Sequence, residues 1–123
     1  MTQERLSLGK MGEELAVAQL KAMKYKIIEQ NYRCLLGEMD IIARERGSLV
    51  FVEVKTRATK DFGGPAAAVN ERKQRQLSRV ALMYLNHKKL KDISARFDVV
   101  AVDLSGSQPR IEVIQNAFEL LYE

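Results

Sequence analysis

Two apolar, β-rich runs, LLGEMDIIARE and LVFVEVK, meet at Arg46-Gly47, and this junction constrains the fold more than any other stretch. Glycine at the second position of a two-residue turn favours a tight hairpin. With Arg46-Gly47 as the turn, paired positions sum to ninety-three, so Asp40 faces Glu53 and Glu38 faces Lys55. Side chains alternate across a strand, which puts these four on one face and Met39, Ile41, Val52 and Val54 on the other. An odd-length loop without a bulge would separate Asp40 from Glu53.

Around the hairpin the chain alternates helical and extended patterns. Arg5 to Met23 reads as a helix, with Leu6, Gly9, Glu13, Ala16, Val17 and Leu20 at helical spacing and Leu8, Met11, Leu15 and Ala18 widening the apolar face. Tyr25 to Tyr32 reads as a half-polar edge strand. TRATKDFGGP reads as a loop, and a second helix runs from Pro65 or Asn70 to His87. RFDVVAVDL and RIEVIQ are strands separated by SGSQP, and Asn116 is placed to cap a last short helix, AFELLY. A helix between LVFVEVK and RFDVVAV implies that those strands are parallel. The expected fold is α/β, a mixed five-stranded sheet flanked by helices in the order α-β-β-β-α-β-β-α.

Composition narrows the function. The 123 residues suffice for one domain with its own core, 1–123, without a disulfide or structural metal. A single cysteine, Cys34, suits a reducing compartment, and with no apolar span or signal-like core the expected location is cytoplasmic. The lone His87 excludes sites that need two imidazoles, and a Cys34–His87 dyad would lack an orienting third residue. A net charge of +4 permits a polyanionic partner without demanding one.

The hairpin acids carry the chemistry. Directly opposed carboxylates repel each other unless a cation lies between them or one is protonated. Magnesium or manganese accepts such oxygens together with water. Lys55, two residues from Glu53 on the same face, is placed to hold a water nucleophile or neutralise charge on a phosphate. The bland reading is a solvated charge pattern, since Glu71-Arg72-Lys73 is another Glu-x-Lys triplet, on a helix. Glu13 shares its stripe with Ala16, Val17 and Leu20, so its carboxylate points at the sheet. Its alternatives are a metal or water ligand and a salt bridge to Lys55 or Arg57.

GKMGEELAVAQL, NYRCLLGEMDIIARERGSLVFVEVKTR, FGGPAAAVNERK and RFDVVAV together resemble the YraN-like uncharacterised protein family. That family is assigned to the PD-(D/E)xK nuclease superfamily and is similar to archaeal Holliday-junction resolvases. The resemblance implies a restriction-endonuclease-like core. It also implies that Asp40, Glu53 and Lys55 form the catalytic motif, with Glu13 as the helix-borne acid. Met39 stands where the superfamily pattern has proline.

The function expected from these readings is magnesium- or manganese-dependent hydrolysis of DNA phosphodiesters, with Glu13, Asp40 and Glu53 as metal ligands and branched or junction DNA as a candidate substrate. Arg72, Arg75 and Arg79 form a basic row on the second helix, suited to phosphates or simply to solvent. Lys73 and Gln76 are expected near the site as phosphate contacts, with Arg57 and Lys60 on the flanking loop. Few stacking aromatics and no tryptophan favour duplex or junction over single-stranded DNA. Symmetric cutting of a junction would call for a homodimer. The rivals are a non-catalytic nucleic-acid- or partner-binding module on the same fold and a purely structural adaptor.

Overall fold

The computed structural model describes residues 3–59 and 69–120. Its order is α1 (Gln3–Ala22), β1 (Lys26–Cys34), β2 (Gly37–Glu45), β3 (Ser48–Arg57), α2 (Glu71–His87), β4 (Ala95–Asp103) and β5 (Arg110–Phe118). The five strands form one sheet in sequential order, β3 parallel to β4 and every other neighbour antiparallel. This is the expected mixed α/β sheet.

The β2–β3 register is the one the turn implies. Ile41 pairs with Val52 and Glu45 with Ser48, around Arg46 (φ 51°) and Gly47 (φ 81°). Two consecutive positive φ values match the right-handed twist of the strands they join. The sheet separates two cores. Leu49, Phe51, Phe97 and Val99 pack under α2 with Leu77, Val80 and Tyr84. Val50, Val52, Val100 and Val102 pack under α1 with Ala16 and Leu20.

Helix α1 can sit close to the sheet because position 12 is glycine. A Cβ there would lie 1.9 Å from Thr56 Oγ1. Met11 is exposed, as is Ala18, so the apolar face of α1 is narrower than its spacing suggests. Helix α2 starts at Glu71, where the Asn70 side chain accepts a hydrogen bond from the Lys73 N–H (2.8 Å). Of the two possible helix starts, the capping asparagine is the one used.

Two expectations need correction. The last helix is absent among the described residues, because β5 runs through Asn116 to Phe118. Asn116 takes φ 53° in an irregular stretch of β5, and its N–H donates to Asp98 Oδ1 (2.9 Å). Asparagine both caps helices and tolerates left-handed backbone, and here the second property is used. Asp98 is fully buried and also accepts from Tyr25 Oη (2.6 Å) and Arg96 Nε (2.9 Å), so it holds structure together. Met39, expected beside Ile41, belongs instead to the α2-side core. It lies past the last β2–β3 ladder pair, next to Asp40 and near Asn31 (φ 54°) on the neighbouring strand.

Among the described residues, no helix is long and apolar enough to cross a membrane.

Candidate metal and phosphate site

The β2–β3 ladder stops at Ile41–Val52, and the strands part just beyond it. Asp40 fills the gap, its Oδ2 accepting the Val54 N–H (2.8 Å) that a regular ladder would give to backbone. This anchors one carboxylate oxygen in the sheet, and the Asp40 carboxyl is also hydrogen-bonded to the Glu53 side chain. Glu53 lies within side-chain hydrogen-bond reach of Asp40 and is only 15% exposed at its side chain. Burial, followed by the charge of Glu53, raises the Asp40 carboxyl from its ordinary 3.8 to about 7. The acid pair anticipated from the turn therefore exists, and it carries the electrostatic cost that opposed carboxylates should carry.

Glu13 reaches the same place from α1. Burial and then the Asp40 charge push its carboxyl upward, while a hydrogen bond from Asn31 pulls it down. With the Asn31 amide nitrogen turned toward the acids, it donates to Glu13 Oε1 (3.1 Å) and Glu38 Oε1 (3.2 Å). Four carboxylates thus gather where β2 leaves β3: Glu13 from one side of the sheet, Glu53 from the other, with Asp40 and Glu38 between. Among the described residues, no group of three or more acid, histidine or cysteine side chains is placed to hold a metal ion as it stands. The donor set suits a hard dication that keeps several waters, because magnesium is commonly held by one or two carboxylates plus substrate oxygens.

An open cleft of about 750 Å³ fronts the acids, lined by Arg33, Gly37, Asp40, Glu53, Lys73 and Gln76 among others. Lys73 Nζ lies 3.8 Å from Glu53 Oε2, and Gln76 Nε2 lies 3.4 Å from the Leu36 carbonyl oxygen. Both come from the first turns of α2, where the sequence places them. Lys55 is half-buried on β3, two residues past Glu53 and on the same side by alternation, just outside the cleft wall. Lys73 is ion-paired to Glu53.

The remaining basic residues divide. Arg57 pairs with Asp103 (3.4 Å) across β3 and β4 and is half-buried, which turns it toward the fold. Arg72, Arg75 and Arg79 are exposed along α2, and Arg75 pairs with Glu71 one turn back. Lys60 lies outside the described residues. His87 is exposed at the far end of α2, about 16 Å of helix from Gln76. Cys34 lines the cleft, so no thiol–imidazole dyad forms.

Sequence reasoning missed Asn31. Its signal was present only as an asparagine inside a β-rich run, the residue type most able to adopt positive φ and still offer a side-chain donor.

A sequence profile of the uncharacterised protein family UPF0102 matches residues 12–102, the span that holds Glu13, Asp40, Glu53, Lys55 and Lys73. The chain belongs to this family. The relatives match over nearly the whole of this chain. A UPF0102 protein of Geobacter sulfurreducens is 54% identical, covering 94% of this chain and 91% of the relative. UPF0102 proteins of Syntrophus aciditrophicus and Geobacter metallireducens are 52% and 50% identical, each covering 99% of this chain and 95% and 100% of the relative. UPF0102 is the YraN-like family of the sequence resemblance, and membership in it carries no assigned activity.

Proposed function

We propose that this chain is a divalent-metal-dependent phosphodiesterase acting on DNA. The observation that carries the reading is the Asp40–Glu53 pair: two opposed, largely buried acids, one raised to about 7, at the mouth of a cleft with a lysine beside them. A fold that keeps such a pair accepts repulsion that a dication would remove. Asp40 and Glu53 would hold magnesium or manganese, with Glu13 accepting from a coordinated water. When bound, the ion would supply an activated water and polarise a phosphoryl oxygen.

The chain's own groups do the rest. Lys55 orients the attacking water and balances charge growing on the phosphate. Lys73 exchanges its long contact with Glu53 for a phosphate oxygen, and Gln76 supplies a neutral donor beside it. Arg72 and Arg79 track the backbone farther along α2. These contacts read shape and charge rather than base sequence. Family resemblance to PD-(D/E)xK nucleases supports the same assignment of Asp40, Glu53 and Lys55.

The Lys73–Glu53 pair also favours a second reading, a DNA-binding module whose acids are internally neutralised. Incubation of linear and branched duplexes with magnesium, manganese or chelator separates the two. The nuclease reading expects chelator-sensitive cleavage that falls by about 100-fold or more in Lys55→Ala while DNA binding persists. Salt-sensitive binding without cleavage under any metal would favour the binding module. Unchanged cleavage in Lys55→Ala would remove the role given to that residue.

A further inference from the structure

The turn between β1 and β2 consists of Leu35 and Leu36, which are 99% and 42% exposed. Turn positions ordinarily go to glycine, asparagine, aspartate, serine or proline, each for a backbone reason. Two leucines serve no such purpose, and neither has a positive φ. Gly37 bears the unusual backbone instead (φ 146°). Scattered exposed leucines are ordinary. An adjacent pair at the apex of a hairpin, beside a polar cleft, is a different case.

The apex also lies against α2. A Cβ at Gly37 would lie 2.8 Å from Gln76 Nε2 and 3.2 Å from Val80 Cγ2, so the hairpin base is pressed against α2. Gln76 reaches the Leu36 carbonyl, and Cys34, Gly37, Glu38 and Asp40 all line the cleft. The leucines therefore project from the rim of the site on a braced support. Arg33, 77% exposed at its side chain, stands at the same rim.

We propose that Leu35 and Leu36 form an apolar wedge that enters a base step of double-helical DNA, making an unstacked or branched step the preferred substrate of the site. The inference rests on the nuclease reading above and names its substrate class. Wedges of this kind insert leucine, isoleucine or phenylalanine between bases, and unstacking costs least where pairing is already interrupted. Leu36 and Asp40 are four residue steps apart along extended chain, about 13 Å. That is roughly four nucleotide spacings along one strand, so the wedge and the carboxylates act on the same strand with the interruption to one side of the cut. Basic residues at the rim and along α2 supply phosphate contacts on either side.

The test compares wild type with Leu35→Ser/Leu36→Ser, after unchanged thermal melting shows that the variant is folded. In chelator, 2-aminopurine placed at the interruption of a mismatched or three-way duplex reads unstacking without catalysis. Wild type should brighten the probe and the double variant should not. With manganese, wild type should cut interrupted DNA about tenfold faster than linear duplex, one step of differential binding, and the variant should cut both alike. A retained fluorescence rise, or a retained preference, in the double variant overturns the wedge. So does a wild-type dimer that the two serines dissociate without changing either DNA readout, since the leucines would then cover a second copy. A protein that unstacks the probe through these leucines but cuts no DNA would refute the nuclease reading and uphold the wedge.

Discussion

Asp40 shows most directly how one residue links the fold to the proposed chemistry. Its backbone leaves the β2–β3 ladder, its Oδ2 replaces a ladder acceptor, and its carboxyl rises to about 7 through burial and the neighbouring Glu53 charge. An acid with a raised folded value binds its proton more tightly folded than unfolded, so it stabilises the protein at low pH. That contribution is present below the ordinary 3.8 and is lost as pH rises toward about 7. Metal-free protein should therefore lose about 2 kcal/mol from this group between about pH 4 and pH 7, part of the proton's stabilisation being shared with Glu53. Chemical denaturation of wild type and Asp40→Asn across that range checks it, since the asparagine variant should lack this slope. Asn31 makes a second prediction. Asn31→Gly and Asn31→Ala both remove the donor to Glu13 and should raise the Glu13 titration seen by carboxyl NMR. Alanine should also cost about 1 kcal/mol more than glycine, because φ at this position is 54°. The Asp40–Glu53 pairing was legible because strand parity and one turn define it. The Asn31 contact was not, because an asparagine within a strand run marks tolerance of positive φ without showing which side chains it will meet.

At the scale of elements, α1 and α2 deliver their functional residues by close approach to the sheet. Glycine at position 12 lets α1 touch Thr56 and carry Glu13 to Asp40. Gly12→Ala would drive a methyl group into the Thr56 side chain, with a contact of 1.9 Å to Oγ1. Relief by displacing α1 should cost about 1–3 kcal/mol in thermal or denaturant unfolding. It should also weaken manganese binding more than the stability loss accounts for, and Thr56→Ala in the same chain should restore part of both. Helix α2 works from the other side, its Asn70 cap fixing the turn that presents Lys73 and Gln76. The hairpin, the parallel β3–β4 pair and the α2 start could be read from turn residues, crossover length and a capping asparagine. The last helix was misread because Asn116 looks like a cap in sequence, while the buried Asp98 carboxylate recruits its N–H into an irregular strand. That partner is eighteen residues away, beyond the reach of a local pattern.

Over the whole molecule, a net charge of +4 coexists with a concentrated acidic site. The acids of the cleft rim face Lys73 and Arg33, while Arg72, Arg75 and Arg79 lie exposed along α2. This separation gives a basic track leading to an acidic centre. DNA affinity should fall steeply with salt, and neutralising Arg72 or Arg79 should each reduce the slope of log K against log salt by about 1. Fluorescence anisotropy over a salt series measures this, and an unchanged slope would exclude α2 from the interface. The central claim is that Asp40 and Glu53 tolerate each other in order to hold a dication. Anomalous diffraction from a manganese-soaked crystal tests it most directly. The account predicts a peak in contact with both carboxylates, lost in Asp40→Asn. A well-ordered cleft without a peak at saturating manganese would contradict it.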